Sequence, residues 1–267
     1  MQNMLNINQL ITLSREASTV LHKTSEGSEV IQIHEHAGIR WAYCGGESLV
    51  SAFRPEAPYE LVFPNHHSML CSLLICELPK SVLNLGFGLG AFERYFAHYL
   101  PALNVVSVDT SPAMVELSRT WFDIPKSQPV VIEPAYKHLC SSQHKYSVIL
   151  CDIFSGDLHS GSVFESQFYA AIAQCLNENG VLAINLSPTS EQEFLKILMP
   201  VRDAFPYVLL STITDQDNVV LLTSREPLPS IAELKLRAQR RGNTMGFDIS
   251  AAMAQYIPLP QRKKLCS

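Results

Sequence analysis

Val82-Leu83-Asn84-Leu85-Gly86-Phe87-Gly88-Leu89-Gly90 is the stretch on which the reading of this chain turns. An apolar run of buried-strand length (81–85) meets three glycines in five positions, and residues 91–100 then carry a helical pattern. Glycines at such a corner let the backbone turn sharply and approach a ligand with no Cβ in the way, while the first N–H groups of the helix face it. Twenty-one positions beyond Gly88 stands Asp109, at the end of the next apolar strand (105–109). A carboxylate there can accept hydrogen bonds from both hydroxyls of a ribose. Ser111-Pro112 follows as a helix start, Ser as N-cap and Pro in the first helical position, which fixes the acid on a rigid corner. Gly86, Gly88, Gly90 and Asp109, with Thr110 beside it, are therefore the expected nucleoside-binding residues. The plainer alternative is a tight turn whose glycines bind nothing and an Asp109 that only caps a helix. Gly86, Gly88 and Ala91 also satisfy the loose G-x-G-x-x-G/A dinucleotide pattern, which keeps an NAD-dependent oxidoreductase among the alternatives.

Outward from this corner, strands and helices alternate. Further strands are expected at 130–133, 147–152 and 180–186, with helices at 112–122 and 165–176. That rhythm specifies a parallel sheet covered on both faces. After a helix at 191–205 come two apolar runs, 207–213 and 219–223, with too short a link for a parallel crossover. They predict an antiparallel hairpin. A mostly parallel sheet ending in such a hairpin is the Rossmann-like methyltransferase fold, and its order disfavours the nicotinamide enzyme.

On the N-terminal side, residues 7–23 predict one amphipathic helix, with Leu10, Leu13, Ala17 and Leu21 at helical spacing. Short alternating runs through Ile31, Ile33, Trp41, Tyr43, Leu49 and Phe53, with turns at Ala37-Gly38 and Gly45-Gly46, predict a small antiparallel β domain. Residues 69–78 read as a buried helix. Beyond Pro227, residues 231–240 and 250–256 read as short helices. The expected division is an N-terminal helix and β domain (1–62), a nucleoside-binding core (63–226) and a helical tail (227–267).

The length of 267 residues suits one α/β domain and a small companion. A net charge of −5 without a basic stripe argues against nucleic acid as partner, since phosphates need Lys and Arg. Seven scattered cysteines, an odd number with no C-x-x-C and several in apolar runs, favour a reducing compartment. No apolar run reaches the length of a membrane span and no signal peptide is visible, so a cytoplasmic protein is expected.

The chemistry is expected at the carboxyl ends of the strands. Asp152 closes Val148-Ile149-Leu150-Cys151-Asp152 and should face the crevice there, where a carboxylate can take the proton of an attacking amine. Asp157 and His159 follow in a glycine-containing loop and are read as solvated. His66-His67 are adjacent, so their side chains point in different directions, and no metal site is expected.

From residue 49 to 223 the chain resembles the spermidine-synthase-like branch of the methyltransferase fold. The resemblance rests on Val82–Gly90 and on Ser107-Val108-Asp109-Thr110-Ser111-Pro112. Residues 147–154 and 164–169 and Asn179-Gly180-Val181-Leu182 add to it. It implies S-adenosylmethionine or decarboxylated S-adenosylmethionine as co-substrate, methyl or aminopropyl transfer to a small-molecule acceptor, and members that commonly dimerise. A homodimer is thereby left open. By position, Asp109 matches the family's ribose-binding acid and Asp152 the first acid of its D-S-S-D loop, the proposed base. His66 matches the His of its Y-H-E segment, and Glu133 stands where an acid binds the adenine amine. Asp157 is carried with His66 as a substrate-binding candidate. Departures are Asn65 and His67 for Tyr and Glu, Leu89 for the Asp of G-G-G-D-G, Ser155 for the second acid of D-S-S-D, Ser51 for a ribose-contacting Gln, and Pro134 beside Glu133. The carboxylates lost are those that would hold a polycationic amine. A descendant that binds a nucleoside or a protein partner without catalysis is the alternative.

Overall fold

The computed structural model describes residues 7–16, 19–27, 29–44, 49–76, 78–155, 158–213 and 216–261. The N-terminal unit opens with α1 (Ile7–Leu13) and continues through β1 (Val20–Glu26), β2 (Glu29–His36), β3 (Ile39–Tyr43) and β4 (Leu49–Phe53), paired antiparallel in that order. The helix expected over 7–23 is thus cut short. Residues 20–26 alternate between exposed and half-buried and pair with β2, and Leu21 is exposed. Strand pairing supplies the backbone partners that a helical turn would have supplied, so the coincidental spacing of Leu21 has no weight. Ala37 and Gly38 both take positive φ (49° and 75°) in the β2–β3 turn, the backbone that a two-residue hairpin demands. Gly45-Gly46, the other expected turn, lies outside the described residues.

The chain then enters α2 (Pro64–Leu70) and α3 (Ser72–Ile75), one turn earlier than expected because Pro64 starts the first of them. Next come β5 (Ser81–Leu85), α4 (Ala91–Tyr99), β6 (Asn104–Asp109), α5 (Pro112–Trp121), β7 (Val130–Ile132), α6 (Ala135–Ser141) and β8 (Tyr146–Cys151). A two-stranded excursion, β9 (Phe154–Ser155) and β10 (Leu158–His159), precedes α7 (Ser166–Cys175), β11 (Leu176–Leu186), α8 (Glu191–Ala204), β12 (Tyr207–Thr212) and β13 (Val219–Ser224). The chain closes with α9 (Ile231–Arg241), α10 (Ile249–Ala254) and β14 (Ile257–Pro258).

Eight of the described strands form one sheet in the order β14-β12-β13-β11-β8-β5-β6-β7. β5 to β8 and β11 run parallel, and β13 is inserted antiparallel between β11 and β12. This is the expected hairpin, and among the described residues there is no sixth parallel strand of the dehydrogenase kind. The sheet reverses its winding between β5 and β8, which places the ligand crevice beyond their carboxyl ends.

Period-2 alternation sends Val82, Val148 and Ala183 to one face and Leu83, Ile149 and Leu182 to the other, and each face buries its own apolar cluster. The C-terminal helices complete the first. Leu234, Phe247, Met253 and Tyr256 pack there against Leu70, Leu73 and Tyr95. Full burial of each such side chain contributes roughly 1.5–3 kcal/mol. Among the described residues no helix is long and apolar enough to cross a membrane.

Candidate active site

The glycine loop, Asp109, Glu133 and Asp152 follow or close the carboxyl ends of parallel strands, and His66 reaches them from α2. Past β5, Gly86 and Phe87 donate their N–H groups to Val108 O (3.0 and 3.1 Å), so the loop folds across the end of β6. Gly86 (φ +91°) lies so close to β8 that a Cβ would stand 2.1 Å from Asp152 O. Gly88 (φ +54°) has no atom within 4 Å of where its Cβ would be, and lines the cleft. One glycine thus serves strand packing and the other leaves room.

Asp109 is tied down before any ligand arrives. Its Oδ2 accepts Gly88 N–H (2.8 Å) and its Oδ1 accepts Ser111 N–H (2.9 Å). Burial pushes its carboxyl above the usual range, the N–H groups of Ser111, Gly88 and Thr110 oppose this, and the nearby Glu26 charge adds to it. These N–H groups do not fill the carboxylate's acceptor sites, so it can still accept from a ligand hydroxyl. Glu26, at the tip of the β1–β2 hairpin, accepts from Ser111 Oγ and from Ala113 N–H (3.3 Å), joining the N-terminal unit to the start of α5. Sequence reading missed it, because nothing local marks a hairpin carboxylate as the cap of a helix far along the chain. Thr110 lines the same end of the cleft. Glu133 lines it too, with its carboxylate turned towards His138 (3.1 Å) and Lys137 (3.3 Å); the His138 hydrogen bond, more than Lys137, holds its pKa down.

Asp152 follows β8 and faces the crevice. Asn185 Nδ2 donates to its Oδ1 (2.9 Å), and Asn218 Nδ2 donates to Asn185 Oδ1 (3.0 Å), which sets the Asn185 amide with its N–H groups towards the acid. His66 Nε2 lies 3.7 Å from the other carboxylate oxygen, its ring between those of Phe63 and Phe92. His67 turns away: its Nε2 bonds Leu61 O (2.9 Å), its ring stacks on Phe247, and burial brings its pKa down to about 4. Asn185 and Asn218 were not anticipated, although an Asn inside the apolar run Ile184-Asn185-Leu186 was a usable signal.

Asp157 lies outside the described residues. The solvated placement expected for His159 is overturned. It is 7% exposed, with Nδ1 3.0 Å from Glu193 Oε1 and Nε2 accepting Ser187 N–H (2.9 Å). The β9–β10 pairing, which two-residue strands do not announce, folds it inward.

The cleft so formed has a volume of about 1350 Å³, enough for a nucleoside donor and a small acceptor together. It is lined by Glu26, Glu29, Asp109, Glu133, Asp152 and Asp217, with no Lys or Arg among the described lining residues. Ser51 Oγ, buried on the same lining, has no hydrogen-bond partner in the protein. An open glycine, an unpartnered hydroxyl and a carboxylate at the end of β6 fit an S-adenosyl nucleoside.

Sheet order and glycine loop define an α/β protein of the methyltransferase fold. Residues 64–215 match the spermine/spermidine synthase domain, and the chain belongs to that family. It is 24% identical over 248 residues to a polyamine aminopropyltransferase of Neisseria meningitidis, covering 91% of this chain and 94% of the relative. Its fold is similar to that of a probable spermidine synthase from Corynebacterium glutamicum (TM-score 0.70, 19% identity, 81% of this chain and 86% of that one). It is also similar to human Methyltransferase-like protein 13 solved with SAH (TM-score 0.60, 20% identity, 76% and 97%).

Proposed function

We propose that this chain is a transferase that moves an alkyl group from an S-adenosyl sulfonium donor to a small amine, with the aminopropyl group of decarboxylated S-adenosylmethionine as the group moved. The observation that carries this is Asp152, held by Asn185 on one oxygen and faced by His66 on the other, inside a cleft lined by acids. Asp152 takes a proton from the acceptor ammonium. The freed nitrogen lone pair forms a C–N bond to the carbon next to sulfur, the C–S bond breaks, and its electron pair leaves on a neutral thioether. Asp109 and Thr110 bind ribose, Gly86, Gly88 and Gly90 make room for the nucleoside, and Glu133 stands at the adenine end. The acids attract a doubly cationic donor, and no described lining Lys or Arg offers a partner to the carboxylate of S-adenosylmethionine itself.

Methyl transfer is the second reading. Leu89 is buried against Phe53, Leu117 and Phe122 and presents no carboxylate to a donor amine. On either reading the described residues of the N-terminal unit, from Ile7 to Val62, help close the cleft, those of the core hold the nucleoside, and the C-terminal helices α9 and α10 buttress the sheet. The six described cysteines are free thiols, which suits the cytoplasm. The edge strands β1 and β4 offer a second copy a place to pair.

The test is turnover of purified protein with each donor and a panel of amines. Wild type should release methylthioadenosine from the decarboxylated donor, and Asp152→Ala should lose about 10²–10⁴-fold in kcat while still binding the nucleoside. Preference for S-adenosylmethionine would establish the methyl reading. Nucleoside binding with no turnover of either donor would make the chain a non-catalytic descendant.

A further inference from the structure

His159 takes no part in the transfer as proposed, yet both its ring nitrogens are engaged across the two segments that leave the sheet beside the active carboxylate. Ile184 pairs with Cys151, so Asn185 and Asp152 are the next residues on neighbouring parallel strands. Beyond Asp152 the chain runs into β9 and returns on β10, with His159 opposite Phe154. Beyond Asn185 it runs through Ser187 and Thr189 into α8.

His159 joins the two. Ser187 N–H is a donor, so Nε2 must carry the lone pair, and the ring proton sits on Nδ1 facing Glu193 Oε1. The imidazole is neutral and of one tautomer. Glu193 Oε2 accepts the Thr189 N–H (2.8 Å) and hydroxyl (2.6 Å). The Thr189 hydroxyl and N–H, and then His159, hold the Glu193 carboxyl down at about 2, so the acceptor end of this latch stays ionised. The rings of Phe154 (5.1 Å) and Phe164 (6.2 Å) close around the imidazole. Phe154, Ser160 and Ser187, all on the latched segments, line the cleft with Asp152.

We infer that His159 is a positioning residue: its neutral imidazole latches the segment after Asp152 to the segment after Asn185, and so holds the Asp152 carboxylate where the acceptor's proton leaves. An error of one ångström in such a group costs about 10²-fold in rate. The nucleoside is held mainly by the loops after β5, β6 and β7, so the latch should govern turnover and leave nucleoside affinity nearly untouched. The inference rests on the proposed transfer for its kinetic consequence and on geometry alone for the latch.

His159→Phe keeps a ring against Phe154 and Phe164 and removes both hydrogen bonds; His159→Gln keeps a donor and an acceptor. In the full chain we expect His159→Phe to exchange the Ser187 amide proton roughly tenfold faster. We expect kcat to fall about tenfold to a hundredfold, methylthioadenosine affinity to stay within about twofold, and His159→Gln to recover part of the loss. Should His159→Phe fail to fold, Glu193→Gln releases the other end and is judged by the same measurements. Unchanged Ser187 protection with unchanged kcat overturns the inference. So does an equal fall of kcat and nucleoside affinity, which would mark His159 as merely structural. If wild type shows no turnover, the proposed function falls, and the latch stands or falls on Ser187 protection alone.

Discussion

Gly86→Ala would put a methyl carbon 2.1 Å from the carbonyl oxygen of Asp152 and 2.8 Å from its carbonyl carbon, on a backbone with φ of +91°. The positive φ costs a residue with a Cβ about 1–2 kcal/mol. The obstructing atoms are backbone at the end of β8, so they cannot swing aside as a side chain would. Relief requires β5 and β8 to part where Asp152 N–H bonds Leu85 O at 2.9 Å. Overpacking of this kind adds roughly 1–3 kcal/mol and the strained hydrogen bond about 1 kcal/mol. The total, about 3–6 kcal/mol, is a large part of the ~5–15 kcal/mol that holds a domain folded. Gly88→Ala bears only the first cost, about 1–2 kcal/mol, because no atom lies within 4 Å of its Cβ. Its methyl projects from the cleft lining, so methylthioadenosine should bind roughly tenfold or more weakly, about 1.4 kcal/mol per factor of ten. Urea titration followed by circular dichroism, with calorimetric titration of the nucleoside, reads both numbers. Equal destabilisation by the two substitutions would refute the assignment of Gly86 to strand packing, and unimpaired nucleoside binding by Gly88→Ala would refute the cradle.

Asp109→Asn leaves one of the N–H groups of Gly88 and Ser111 facing an amide NH₂, so stability should fall by about 1–3 kcal/mol and nucleoside affinity roughly tenfold to a hundredfold; unchanged calorimetric binding would remove Asp109 from the ribose site. Glu93 on α4 is buried against β5 and β6, its Oε1 accepting from Asn84 (2.8 Å) and Ser107 (2.5 Å), and burial, only partly opposed by these donors, pushes its carboxyl above the ordinary 4.5. A raised carboxyl binds its proton more tightly when folded, so its contribution is complete below 4.5 and is lost as pH rises through the raised value. Glu93→Gln should therefore fold and flatten the fall in urea midpoint between acid and neutral pH, and a parallel pH dependence in both proteins would contradict the buried-acid assignment.

Much of the fold was legible because its signals are local. A glycine corner needs only a few neighbouring residues, and Ser111 caps α5 by bonding Met114 N–H three positions on. Strand 81–85 is observed over the expected residues, and the hairpin of β12 and β13 followed from the shortness of its link. The short elements α6, β9, β10 and β14 escaped notice because two to seven residues carry too little periodicity to be read. Within the site, Gly86, Gly88, Asp109 and Asp152 were found at strand ends, where parallel-sheet topology itself directs side chains to the crevice.

By itself, the sequence determined the class of fold, the place of the crevice and, of the acids that line it, Asp109, Glu133 and Asp152, since alternation, helix starts and glycine turns are encoded between near neighbours. Tertiary structure alone decided which oxygen of Asp152 meets Asn185 and which meets His66, that Asn218 sets the Asn185 amide, that Glu26 caps α5, and that His159 is a buried latch. Those pairs join residues tens of positions apart. Hydrogen bonds depend on angle and on a few tenths of an ångström, and such precision exists only after the sheet has set every strand end beside its neighbour.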